Sequence, residues 1–195
     1  MRISEFDLAE ALSADWTRIP SLVAGWKKRE SGKGFNPYGQ LPKNVLSGDL
    51  NRSQRTQILS KILGYKPRML PERNHALTKN TWELFDSMGG ALSGRESYSF
   101  ELTGLEVKIS AGYLYQLPDM EYVIVNWARK KAPSEKLVRA VLEVLHMTRP
   151  AEWSTNRVPA LLIADAQDLR VAGPVAPANI RRFDERVNRI NSIAG

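Results

Sequence analysis

Residues 97–110 read SYSFELTGLEVKIS. Polar and apolar residues alternate on both sides of Thr103 and Gly104, the pattern of two strands with one buried face each. A two-residue turn at Thr103-Gly104, with glycine supplying the positive φ that such turns require, joins them as an antiparallel hairpin. That turn sets the register: Leu102 faces Leu105, Glu101 faces Glu106, Phe100 faces Val107 and Ser99 faces Lys108. Side-chain alternation then sorts the hairpin into an apolar face (Tyr98, Phe100, Leu102, Leu105, Val107, Ile109) and a polar one (Ser97, Ser99, Glu101, Glu106, Lys108, Ser110).

Outward from the hairpin, TWELFDSM predicts a helix ending at Gly89 and Gly90, and EYVIVNW a third strand. Ser134 caps an amphipathic helix carrying Leu137, Val138, Val141, Leu142 and Leu145, VPALLIAD is an apolar run of buried-strand length, and PANIRRFDERVNRINSIA closes the chain as a helix. The first part of the chain is helical. Ser4 and Asp7 form a capping-box pattern, Pro20 suits the first turn of a second helix, and SGKGFNPYGQLPKN reads as an irregular loop. A third helix, capped at Asp49 or Asn51 and stopped at Gly64, buries Ile58, Leu59, Ile62 and Leu63 and turns Arg52, Arg55 and Lys61 outward. The expected fold class is α+β, a helical N-terminal region (1–78) followed by a mixed α/β domain (79–195) whose sheet has about four strands flanked by helices.

The 195 residues carry a net charge of +7 and no cysteine, which excludes disulfide scaffolds, thiol nucleophiles and cysteine-ligated zinc. Residues 1–80 hold 14 Lys/Arg against 7 Asp/Glu, while residues 81–195 hold 14 of each. A basic excess confined to one region is the footprint expected where phosphate is neutralised, with DNA ahead of RNA as the partner. Lys27, Lys28, Arg29 and Lys33 around the second helix, with Arg52, Arg55 and Lys61 on the third, are the candidate nucleic-acid contacts. No apolar run approaches the roughly 18 residues that cross a bilayer, and Glu5, Asp7 and Glu10 stand where a signal peptide needs an uncharged stretch, so the expectation is a cytoplasmic protein without membrane contact.

Glu101 and Glu106, directly opposed across the hairpin, repel each other and call for a neutralising cation. Lys108 can serve, or a Mg²⁺ ion bridging both carboxylates, in which case Lys108 is placed to orient an attacking water or stabilise a phosphate in transition. In these residues the chain resembles the PD-(D/E)XK nuclease superfamily, whose E-x-K corresponds to Glu106 and Lys108, and the helix, three-strand, helix, strand order over residues 81–165 is similar to that family's core. The resemblance implies Mg²⁺-dependent DNA cleavage, with Glu101 and Glu106 holding metal and Glu101, Glu106 and Lys108 catalytic. The family's first acid is usually aspartate, and here Glu101, Glu96 or Asp86 stands for it.

Other patterns are blander. SGKG at Ser31–Gly34 lacks the glycine at position 27 that a phosphate loop requires. His75 reads as a surface histidine, and His146 as a cation complementing a helix C-terminus. Asp165 and Asp168 lie at a strand end, where either a functional carboxylate or a turn residue fits. Arg181, Arg182, Arg186 and Arg189 form a basic face on the last helix that suits a protein partner, phosphate or water. Three functions therefore follow: a nucleic-acid-binding protein, a Mg²⁺-dependent endonuclease, or a non-catalytic interaction or inhibitor protein.

Overall fold

The computed structural model describes residues 1–30, 36, 38–129 and 131–194, with residues 29 and 30 described by backbone alone. The expected hairpin is its centre. Thr103 (φ 45°) and Gly104 (φ 87°) both take the left-handed conformation of a two-residue turn, and the register is the one its length dictates: Leu102 opposite Leu105, Glu101 opposite Glu106, Phe100 opposite Val107, Ser99 opposite Lys108. Both strands run further than their alternation suggests, β2 over Ala91–Leu102 and β3 over Leu105–Gln116.

β2 lies along one edge of β3 for its whole length. The opposite edge is shared: β4 (Glu121–Trp127) pairs antiparallel with Ala111–Gln116, and β1 (Arg2–Ser4) pairs parallel with Glu106–Lys108. β5 (Arg157–Ile163) runs parallel to β4 and β6 (Asp168–Val171) antiparallel to β5, completing a mixed six-stranded sheet. With α-helices on both faces this is an α+β fold, with more strands than the four expected. β1 and β6 were missed because each is too short to show alternation.

Helices cover the sheet from both sides. α1 (Glu5–Ser13), α2 (Ile19–Glu30), α6 (Glu135–Met147) and α7 (Pro177–Ala194) bury Leu8, Val23, Val141 and Val187 against Val107, Ile109, Val125 and Leu161. α3 (Leu41–Leu50) and α5 (Pro71–Met88) bury Leu41, Val45, Leu77 and Phe85 against Tyr113, Tyr115, Ile124 and Leu162. Because Leu161 and Leu162 face opposite layers, β5 is apolar throughout, as a strand buried on both faces must be. The caps read from sequence form: Ser4 Oγ accepts from Asp7 N at 3.2 Å, and Ser134 Oγ from Leu137 N at 3.3 Å.

Three expectations change. Residues 1–78 do not fold apart from the rest: α5 runs unbroken across residue 78, and β1 belongs to the sheet. Leu41–Leu50 is a helix, because Pro42 is tolerated in a first turn that makes no intrahelical N–H bond there, and Gly48 leaves room for Trp82, whose Nε1 donates to Val45 O at 2.8 Å. The next helix, α4 (Arg55–Leu63), begins later than expected and buries only Ile62 fully, leaving Leu63 52% exposed.

A Cβ on Gly48 would stand 2.6 Å from Trp82 Cε2, whereas one on Gly25 in exposed α2 meets nothing within 4 Å. Gly48→Ala is therefore expected to lower the free energy of urea unfolding by about 2 kcal/mol or more. Gly25→Ala is expected to leave it unchanged or raise it by about 0.5–1 kcal/mol.

Candidate functional site

The hairpin holds Glu101 and Glu106 opposite each other on the polar face, with Glu101 exposed and Glu106 half-exposed. The cation beside them comes from β1. Its register places Arg2 against Glu106 and Ser4 against Lys108, and Arg2 Nε lies 3.3 Å from Glu106 Oε1. Lys108, two residues along, is exposed. The Glu106 carboxylate is thus engaged by a guanidinium, and among the described residues no group of three or more His, Cys, Asp or Glu converges beside the pair.

The candidate nucleic-acid contacts divide. Lys27 and Lys28 are exposed on the last turns of α2, beside buried Trp26. The side chain of Arg29, and Lys33 altogether, lie outside the described residues. Arg55 does not face outward: its side chain is 19% exposed, and its guanidinium donates twice to Asp86, once to Gly48 O at 3.0 Å, and sits over the Trp82 ring. Arg52 joins it on Asp86 at 3.1 Å, and these arginines, Arg55 foremost, hold the Asp86 carboxyl below its usual range. Of the three cations expected on that helix, only Lys61 remains exposed without an ion pair to a described residue. On α7, Arg186 and Arg189 lie over the Trp16 ring; Arg181, Arg182 and Arg189 are exposed and Arg186 half-buried. Of the strand-end acids, Asp165 pairs with Arg73 and Asp168 with Arg170.

What sequence reasoning missed lies where β1 meets β3. The register of β3 on β4 shifts between Ala111 and Tyr113, a bulge that turns Tyr113 and Tyr115 toward α3 and α5 while Val107 and Ile109 face α1 and α6. On the α3 side of the sheet, Lys108 and Ser110 consequently stand beyond the helices that cover the two tyrosines. The space there forms two adjoining cavities. The larger, about 600 Å³, is lined among others by Glu5, Tyr38, Arg95, Gly112, Asn126 and Arg129. The smaller, about 280 Å³, is lined by Arg2, Asp7, Trp26 and Lys108. Ser4 and Ser110 belong to both, so the two form one groove.

Glu5 is the unusual residue in that groove. It is the first residue of α1, only 3% exposed, and burial pushes its carboxyl up to about 7, against the opposing hydrogen bonds from the backbone N–H groups of Glu5 and Ser110. Asp7 adds to the rise and Arg129 reduces it. Asn126 donates through Nδ2 to Tyr113 Oη at 3.3 Å and leaves its Oδ1 buried with no partner. Arg129 pairs with Glu10 at 3.5 Å and lies over the Phe6 and Trp127 rings. Arg95 is exposed and makes no ion pair with a described residue. A buried acid with its carboxyl pushed up to about 7, an amide and two guanidinium groups therefore line one cavity. A signal was present in the sequence: Glu5 is in phase with Leu8, Ala9 and Leu12 on the buried stripe of α1, so an acid occupies a core position.

Neither models of protein families nor curated proteins match this sequence. No helix among the described residues is long and apolar enough to cross a membrane.

Glu5 binds its proton more tightly folded than unfolded, so stability falls as pH rises from the unfolded value near 4.5 through the folded value near 7, and then levels. Chemical unfolding at pH 5 and pH 8 is expected to show that decline in the wild-type chain. Glu5→Gln should flatten it, gaining up to about 3 kcal/mol over wild type at pH 8 and little at pH 4.5.

Proposed function

We propose that the chain is a cytoplasmic nucleic-acid-binding protein that follows a phosphate backbone along the groove between α2 and the open polar face of the sheet. One observation carries this reading: Trp26 of α2 and Lys108 of β3 line the same cavity, and the exposed Lys27 and Lys28 directly follow Trp26 on α2. Through Ser4 and Ser110 the groove continues to Arg95 and Arg129. Lys27, Lys108 and Arg95 form no ion pair with a described residue, so a phosphate meets cations that need not first leave a carboxylate. Glu5, with its carboxyl pushed up to about 7 by burial, is only partly ionised at neutral pH, and Asp7 is the other acid that lines the groove.

Binding of labelled single-stranded and duplex DNA and RNA between 50 and 200 mM salt tests the proposal. Affinity is expected to fall steeply with salt, and Lys27→Ala, Lys108→Ala or Arg95→Ala each to lower the slope of log K against log[salt] by about 0.7–0.9. Arg55→Ala, which removes a guanidinium already held by Asp86, should leave the slope unchanged. A salt-insensitive affinity, or slopes indifferent to all three groove variants, would instead favour an acidic protein partner.

Metal-dependent cleavage is the second reading. It is supported by the order α5, β2, β3, β4, α6, β5, the order that resembles the PD-(D/E)XK core, and by the opposed Glu101 and Glu106. The engagement of Glu106 by Arg2 stands against it. Plasmid nicking in Mg²⁺ or Mn²⁺ that is abolished by both Glu106→Ala and Lys108→Ala would establish it, and nicking unchanged by either would rule out this site.

A further inference from the structure

We propose that the free edge of β2 between Ser97 and Glu101 is a self-association surface, on which a second copy of this chain lays its own β2 antiparallel and continues the sheet across a two-fold axis. β2 pairs with β3 alone, and its register on β3 fixes which of its backbone groups are spare. Glu106 N donates to Met1 O at 3.0 Å, on the edge of β3 that β1 occupies. In an antiparallel pair, two opposed residues either exchange both bonds or both turn away from each other. Glu101, opposite Glu106, therefore points its N–H and C=O away from β3, and Ser99 and Ser97, at every second residue, do the same.

No described residue hydrogen-bonds to those backbone groups, and the side chains of all three residues are exposed. The edge is closed further back, where Asp49 Oδ2 of α3 accepts from Leu92 N at 3.3 Å. From the register shift at Gly94 to the turn, β2 has neither proline nor lysine, two residues with which natural sheets keep an edge from pairing. A row of spare N–H and C=O groups of this kind is a template for another strand.

Charge selects a second copy as that strand. Arg2 answers Glu106, whereas the exposed Glu101 has no ion pair with a described residue. Arg95, at the other end of the open stretch, lines a cavity with Ser110 and so shares the polar face with Glu101. A two-fold axis at Tyr98 sets Ser97 opposite Ser99 of the second copy, where they exchange N–H···O=C bonds, and brings Arg95 of each copy opposite Glu101 of the other. An axis at Ser99 would leave Glu101 facing a serine, and one at Glu101 would set it against itself. On the opposite face the two Tyr98 side chains meet at the axis, each ring already packed edge-on against Trp153 at 5.2 Å between centroids. The pairing needs no nucleic acid, and because a carboxylate takes only part of the donor fork of a guanidinium, Arg95 in the dimer still donates to a phosphate in the groove.

Sedimentation equilibrium of the full chain from about 1 to 200 μM decides the question. A monomer–dimer equilibrium with Kd of micromolar order is expected, as suits a short strand pairing. Arg95→Glu and Glu101→Arg each set like charges opposite at both ends of the pairing, so each should weaken the dimer by about tenfold or more, and the double reversal should restore it. Ser99→Pro, which removes a spare N–H and none of the bonds to β3, should give a monomer with an unchanged circular dichroism spectrum. The charge reversals lie at exposed positions and read the pairing even if Ser99→Pro does not fold. A chain that stays monomeric over the whole range, a dimer that persists in Ser99→Pro or in both single reversals, or single reversals that the double reversal does not rescue would overturn the proposal.

Discussion

The architecture depends on the bulge in β3 between Ala111 and Tyr113. A strand with strict alternation presents one set of residues to one face along its whole length. The extra residue reverses that assignment midway, so one strand supplies Leu105, Val107 and Ile109 to the layer of α1, α6 and α7, and Tyr113 and Tyr115 to the layer of α3 and α5. Gly112, at the reversal, lines the cavity, and a Cβ added there would meet Pro42 and Asn126 at ordinary van der Waals distance. The bulge thus gives the second hydrophobic core its two buried tyrosines while leaving Lys108 and Ser110 to line the groove.

Charge follows from the same geometry. A basic excess in the first 80 residues suggests a basic surface, yet several of those cations serve the fold. Arg2 neutralises Glu106, Arg55 and Arg52 share Asp86, and Arg73 ties Asp165 to Tyr38 and to the chain at Arg129. Arg157 does the same later in the chain, holding Glu96 of β2 and Glu121 of β4 while lying over Trp153. Arginine suits these positions because its planar fork satisfies a carboxylate and still stacks on an aromatic ring. The described lysines, compact and strongly hydrated point charges, are left at the surface, and Lys27 and Lys108 are among them.

Local signals were legible wherever the deciding interaction lies within a few residues. The Thr103-Gly104 turn, the register it dictates, the Ser4 and Ser134 caps, the stop at Gly64 and the apolar run of β5 all belong to this class. Arg55 was misread because helical phase on a short segment does not reveal that Asp86 and Trp82, some thirty residues on, come to meet it. The first turn of α3 was misread because Pro42, following Gly39, suggests a loop, although proline is tolerated in the first turn of a helix. Glu5 was overlooked because an acid after a serine cap is so common at a helix start that its place on the buried stripe drew no notice.

By itself the sequence determined the α+β class, the hairpin at the centre of the sheet and the opposition of Glu101 to Glu106, because alternation, turn length and capping are short-range and leave few solutions. Only the tertiary structure decided which cation answers those carboxylates, which arginines are free, and that Glu5, Arg95, Asn126 and Arg129 share one cavity. Those outcomes depend on β1 adding to the far edge of β3 and on a bulge whose position is set by packing on both faces, and contacts between residues a hundred positions apart leave no periodicity in the chain.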